Sequence, residues 1–347
     1  MQKSTMNNYL PQLAATPQQL IQSNGQPVFG LFDGSIPDFN LRDFVYQNLM
    51  DKKANPLARY FQYKQFQFIC VTGSDWLLAV AIADIRYANS GFAYLYRFDS
   101  NLAISKGVLL PGALGCRMSD SPSAGEAKQG FAAYKVEIKT SATHWQLSID
   151  TKELKASLTI EKASQMPLAL CAPTGYNGWT YTEKSNALAV SGTLELQGKA
   201  LDLTQALAGY DFSAGFMRRQ TSWRWASINA VVEDQAFGLN IAAGVNETGL
   251  CENALWFNGQ IQHLSPATFV FDRKDEKKPW QVSSLCGEVQ LEFTPLYCRQ
   301  EKVNIGLLAS NFRQYVGIYT GFVVLQNGSK LKLNAVKGLA EDHYAKW

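Results

Sequence analysis

The sequence predicts an all-β protein: two tandem lipocalin-like antiparallel barrels or sandwiches, preceded by an N-terminal arm and one short helix. Three observations lead there. From about residue 65 onward apolar and polar residues alternate with period two, as in Phe66 and Phe68 between Gln65 and Gln67. Gly, Asn, Asp and Pro break these runs into many short, evenly spaced segments. Strand-like runs never alternate with helical ones, which argues against a nucleotide-binding α/β fold.

The arm is taken as residues 1–37. Pro11, Pro17, Pro27 and Pro37, with Gly25, Gly30 and Gly34, keep it extended, and Val28, Phe29, Leu31 and Phe32 need a core to lie against. Leu41, Phe44, Val45 and Leu49 then recur at helical spacing, with Asn40 placed to cap the start and Pro56 to close the region. Segments 76–86 and 91–98 read as a hairpin, and 102–110, 131–139, 143–150 and 154–161 continue the series around a loop at 111–130. A short strand begins at Met166-Pro167. The Pro167–Gly175 stretch suggests a division into a first barrel at 38–172 and a second at 173–347. Beyond it, strands are expected at 176–183, 188–196, 200–203, 222–233, 236–243, 254–257, 260–264, 268–272, 282–284, 289–294, 296–300, 314–325 and 331–336. The last two are hinged at Asn327-Gly328. About twenty strands suit two closed units better than one sheet.

Composition narrows the function classes. The 347 residues carry 32 Lys+Arg against 29 Asp+Glu, a net charge of +3, and 46% belong to the AVILMFWYC class. Such a chain is too apolar to stay disordered, and too mildly and diffusely basic to suggest a nucleic-acid partner. The run Trp76–Ala83 falls far short of the ~20 residues of a spanning helix. The first 26 residues lack the apolar core of a secretory leader, so a cytoplasmic location is expected. The six cysteines have wide, irregular spacing and mostly sit in apolar runs, which suggests buried reduced thiols. No G-x-G-x-x-G, Walker, G-x-S-x-G, H-E-x-x-H or C-x-x-C motif occurs, and His144, His263 and His343 are far apart. No cofactor and no metal site is expected.

The densest chemistry lies between Ala208 and Ala226. Asp211, adjacent Arg218 and Arg219, and Trp223 and Trp225 fall within fifteen positions. On a strand, Trp223 and Trp225 face one side and Arg224 the other. Such an aromatic wall inside a barrel would hold a flat or chain-like apolar molecule. Burial would raise the pKa of Asp211 and a neighbouring arginine would lower it, setting it as proton donor or acceptor. The same residues could equally be core tryptophans and an ion pair tying a loop to a strand. Trp179 and Tyr181 share another strand face, with Tyr210 beside the acid in sequence, while Glu183-Lys184 reads as a solvated strand end. The segment 338–347, ending in Trp347, suggests a tail that docks back onto the body, with His343 bonded to a neighbouring carboxylate.

Gly209 through Arg218-Arg219-x-Thr221-x-Trp223-x-Trp225-Ala226, the early Gly25-x-Pro27-x-x-Gly30, Ala83-Asp84-x-x-Tyr87 and the closing Glu341-Asp342-His343-Tyr344-Ala345-Lys346-Trp347 resemble the bacterial family known as domain of unknown function 2804. The resemblance spans nearly the whole chain and brings no activity with it. More distantly, Trp179-x-Tyr181, Val190–Leu194, Gly198, Gly209-Tyr210-Asp211 and Trp223-Arg224-Trp225 are similar to the lipocalin-like carotenoid hydratases. Those have two calycin-type barrels and act on polyenes or other hydrophobic molecules; their Trp-x-Asp box stands here as Tyr210-Asp211.

Two functions are therefore expected as alternatives. One is binding of a hydrophobic small molecule such as a lipid or isoprenoid, extending to cofactor-free hydration, isomerisation or cyclisation. Asp211 would move the proton, Arg218 or Arg219 would orient it, and Trp179, Tyr181, Tyr210, Trp223 and Trp225 would hold the ligand. The other is a non-catalytic structural or interaction protein whose barrels are filled by their own side chains.

Overall fold

The computed structural model describes residues 11–162, 165–306 and 308–347, so the first ten residues of the expected arm lie outside the description. Two curled sheets, almost entirely antiparallel, make up the body. In the first, of fifteen strands, the main path runs Ala103–Pro111, Ala88–Arg97, Trp76–Asp84, Tyr63–Thr72, Leu207–Phe216, Gly178–Leu196, Leu154–Glu161, His144–Asp150, Tyr134–Thr140, Gly125–Phe131 and Cys116–Met118. In the second, of nine strands, the order is Gln260–His263, Ala254–Phe257, Gln235–Ala243, Gln220–Val232, Lys330–Lys346, Ala309–Val324, Val289–Asn304, Trp280–Ser284 and Ala267–Val270.

The expected hairpin is present as Trp76–Asp84 against Ala88–Arg97, with Leu78 opposite Leu95. Expected strands 289–294 and 296–300 are one long strand interrupted by a bulge at Pro295/Tyr297. The stretch 111–130, read as loop, contains two strands, Cys116–Met118 and Gly125–Phe131. Leu207–Phe216 was not foreseen as a strand at all. Both it and Gly178–Leu196 pair within the first sheet, so the chain crosses to the second sheet between Phe216 and Gln220 rather than at 172/173.

The helix expectation is corrected. Residues 41–43 form only a 3-10 turn, Phe44 is extended, and Leu49 is 76% exposed. The backbone there takes other partners: Val45 N–H donates to the Gly25 carbonyl of the arm at 3.1 Å, and Ala54 N–H to that of Tyr46 across a local turn at 2.9 Å. The α-helix is Pro56–Gln62, where proline begins the helix and Asn55 caps it by accepting from Ala58 N–H at 2.8 Å. In the arm, Gly30–Phe32 pairs with Leu168–Thr174, burying Leu31 and Phe32, while Phe29 stays exposed. Leu20, Ile21, Ile36 and Phe39 plug the interior of the first sheet. All six cysteines are free thiols.

Each sheet wraps its own core, and a third apolar cluster joins their outer faces, with Phe68, Leu77, Tyr94 and Tyr96 from the first sheet against Trp225, Ala242, Val316 and Leu339 from the second. A bulge at Ser185/Leu188 pushes Asn186 out of the first sheet. Its amide donates to Ser227 Oγ at 2.9 Å and Asn229 Oδ1 at 3.0 Å in the second. Gly209 and Gly238 make room for this rivet, since a Cβ on either would collide with Asn186.

Within Gly178–Leu196, Gly192 has φ +120°, and a Cβ there would run into the Ser157 carbonyl of the neighbouring strand. Gly192→Ala is therefore expected to cost about 1–3 kcal/mol in backbone strain alone. Urea unfolding measures the loss.

Candidate functional site between the sheets

Period two decides which way the polar residues look. On Leu207–Phe216, Tyr210, Phe212 and Ala214 fill the interior of the first sheet, so Asp211 faces outward to the second. On Gly178–Leu196, Trp179 and Tyr181 point inward and Lys184 outward. Lys184 and Asp211 are register partners and form an ion pair. From the second sheet's side, Glu252 brings Oε2 to 3.4 Å from the same ammonium. All three are buried, with Lys184 at 4%, Asp211 at 9% and Glu252 at 3% exposure. Burial works against the Lys184 charge, but the attraction of Asp211 and Glu252 outweighs it and holds its pKa above the ordinary lysine value. Burial raises Glu252. Asp211 Oδ1 has no hydrogen-bond partner.

A further carboxyl, Glu341, lies on the strand Lys330–Lys346, opposite both Trp225 and Gln314. Trp223 Nε1–H donates to it at 2.7 Å and Gln314 Nε2–H at 2.8 Å. Gln314 Oε1 in turn accepts from Tyr94 O–H at 2.7 Å, a bond that crosses from one sheet to the other. Burial pushes Glu341 up to about 7 despite these donors, and the charge of Asp211 adds to the rise while Lys184 opposes it. Asp211 and Glu252 thus share the Lys184 ammonium, and Glu341 feels the charges of Asp211 and Lys184. Two residues on, His343 bonds Ser310 Oγ through Nε2 at 3.0 Å, and its Nδ1 stands 3.8 Å from Glu341. Burial holds it down to about 3, so the imidazole is neutral.

Aromatic rings surround the carboxyls. Trp225 meets the edge of Phe68 at 5.4 Å and donates its N–H to Asn240 Oδ1 at 2.7 Å. Phe66, Phe92, Trp223, Tyr297 and Phe312 are half-buried along the seam. Arg224, on the opposite face as expected, reaches Asp342 at 3.4 Å, and Arg273 holds the same carboxylate with two bonds at 2.7 and 2.8 Å.

The structure thus distributes the expected site residues over three places. Asp211, Trp223 and Trp225 meet in the seam, on the outer faces of the sheets rather than inside either one. Trp179, Tyr181 and Tyr210 lie in the interior of the first sheet. Arg218 and Arg219 lie at the crossing between sheets: Arg218 binds Glu247 at 2.6 Å and the Gly244 carbonyl at 2.7 Å, while Trp347 N–H donates to the Arg219 carbonyl at 3.0 Å. The cation beside Asp211 is Lys184, and Glu183-Lys184, read as a solvated strand end, is buried. The C-terminal segment docks as the strand Lys330–Lys346. Tyr94, Glu252 and Gln314 were missed; each is polar and 3% exposed or less, and nothing local in the sequence marks them.

Two cavities lie elsewhere. One is an open depression of about 620 Å³ beside Phe271, Arg273 and Lys278; the other is a pocket of about 220 Å³ at one end of the first sheet's interior. Neither is walled by Asp211, Arg218 or Arg219. Among the described residues no group of three His, Cys, Asp or Glu side chains is placed to hold a metal ion, and no helix is long and apolar enough to cross a membrane.

Residues 12–347 match the model of the family described as domain of unknown function 2804, and the chain belongs to that family. No curated protein matches it by sequence. Among solved structures it is similar to CghA with Sch210972, at a TM-score of 0.56 and 12% identity, covering 94% of this chain and 97% of that one. CghA determined separately gives a TM-score of 0.54 at 12% identity, with the same coverage. Kievitone hydratase from Nectria haematococca gives 0.52 at 11% identity, covering 82% and 89%. At such identities the likeness is one of fold, extending over both sheets.

Proposed function

We propose that this member of the domain of unknown function 2804 family acts on a small hydrophobic molecule held in the seam between its sheets, moving a proton in a hydration, isomerisation or cyclisation. The observation that carries the reading is the buried Asp211 and Glu252 on the ammonium of Lys184, with the buried Glu341 held by Trp223 and Gln314 in the same seam, bordered by aromatic rings. Perturbed buried carboxyls in an apolar setting are the means by which a protein does acid and base chemistry near neutrality. Glu341, with a pKa near 7, serves as the acid; Asp211, with an unpartnered oxygen, accepts the proton or orients water. Lys184 takes the tuning role expected of Arg218 or Arg219. The indoles of Trp223 and Trp225 border the apolar body and favour positive charge developing on it. A shared fold with a protein named kievitone hydratase, and with CghA bearing Sch210972, supports a small-molecule substrate.

The experiment is incubation of the purified protein in D2O and in H2(18O) with a panel of linear polyenes and isoprenoid alcohols, read by mass spectrometry. Incorporation of solvent deuterium or oxygen into one class, abolished in Asp211→Asn while tryptophan quenching by the same compound persists, is the expected result. Neither described cavity is walled by Asp211, which favours the second reading, a structural protein. Absence of both label and quenching across the panel would establish that reading instead.

A further inference from the structure

The pocket of about 220 Å³ at the end of the first sheet's interior is a separate place from the seam, and its wall includes Ser35, Ser123, Trp145, Lys162, Glu183 and Ser185. Glu183 is 2% exposed yet lines this space, and its Oε2 accepts from Tyr181 O–H at 2.8 Å. Lys162 Nζ has only long contacts, 3.4 Å each, to the carbonyls of Pro122 and Ser123, and sits 4.7 Å from the centre of the Trp145 ring. Among the described residues it has no carboxylate within ion-pair distance. Trp145 and Tyr210, each 2% exposed, stack at 4.1 Å, and neither the indole N–H nor the phenol O–H has a hydrogen-bond partner.

Buried donors left without acceptors are rare in folded proteins, because each costs its lost hydration. Here an indole N–H without a partner and an ammonium with only two long carbonyl contacts border one cavity, and an anionic acceptor would serve both. We infer that this pocket binds a small organic carboxylate, with the carboxylate oxygens placed between Lys162 Nζ and Trp145 Nε1. Glu183 Oε2 is already engaged by Tyr181 O–H, and burial raises its pKa, which weakens its opposition to a second carboxylate. An amine is disfavoured in the same place, since it would stand against Lys162. The volume lies below the roughly 300 Å³ at which drug-sized ligands are usually held, so the guest is small. The inference is independent of the chemistry proposed for the seam.

The test is titration of the full chain with benzoate, hexanoate, butylamine and inorganic phosphate, followed by isothermal calorimetry and tryptophan fluorescence. A carboxylate is expected to bind in preference to the amine and phosphate, with Lys162→Met weakening it at least tenfold. Trp145→Phe, which keeps a ring and removes the N–H, should weaken it severalfold. Lys162 is half-buried and Trp145→Phe conserves the packing, and circular dichroism is used to check that both variants fold. Failure of both carboxylates to bind, preference for butylamine or phosphate, or carboxylate binding indifferent to Lys162→Met would each overturn the assignment.

Discussion

Lys184→Met is expected to destabilise the protein by about 3–5 kcal/mol, the cost of stranding buried carboxylates without their counter-charge. The ammonium is the shared partner of Asp211 and Glu252, and all three groups are buried. Urea unfolding at pH 7 reads the effect. Adding Asp211→Asn and Glu252→Gln to Lys184→Met should recover most of it, because three neutral side chains of similar size then fill the same space. A loss no larger than the roughly 1 kcal/mol typical of exposed pairs would mean that the cluster is open to solvent.

Glu341→Gln should affect both turnover and the pH dependence of stability. On any substrate identified by solvent-label incorporation, loss of the acid is expected to lower the rate about 10²–10⁴-fold. The stability effect needs no substrate. The folded state holds the Glu341 proton up to about pH 7, against 4.5 for an ordinary glutamate. Below 4.5 both states carry the proton and the favourable contribution is complete. It is lost as pH rises from 4.5 through 7, by about 3 kcal/mol at 1.36 kcal/mol per pKa unit. Wild type and Glu341→Gln, unfolded in urea at pH 4.5, 6 and 8, should differ by a gap that shifts in favour of the variant as pH rises. A gap constant with pH would show that the carboxyl titrates normally. His343 runs the other way: being neutral when folded, it costs stability as pH falls below 6.5.

The strand rhythm was legible wherever one face is apolar and the other wet. On one strand with both faces buried it failed. Leu207–Phe216 turns Tyr210 and Phe212 into one core while Asp211 serves the seam, and Gly209 and Gly215 break the visible alternation. The helical spacing of Leu41, Phe44, Val45 and Leu49 misled because the arm and a local turn take the backbone hydrogen bonds that a helix would have used. In the site, the acid and the indoles were legible as residue types at strand spacing. Their partners were not: Lys184, Glu252 and Glu341 reach Asp211's neighbourhood through sheet register and the packing of two sheets, which no local window contains. Arg218 and Arg219 illustrate the same point in reverse, since closeness in sequence to Asp211 did not bring them to it.

The position of Lys330–Lys346, between Gln220–Val232 and Ala309–Val324, bears on how the molecule comes into being. Every other neighbouring pair in the second sheet is consecutive in the chain, and only the pairing of Gln220–Val232 with Lys330–Lys346, which sets Gln220 opposite Lys346, joins its two distant halves. Such a distant pairing slows folding, and until it forms, Gln220–Val232 and Lys330–Lys346 each present a bare edge to other chains. Interrupting this one strand should therefore produce aggregates rather than a slightly weakened protein.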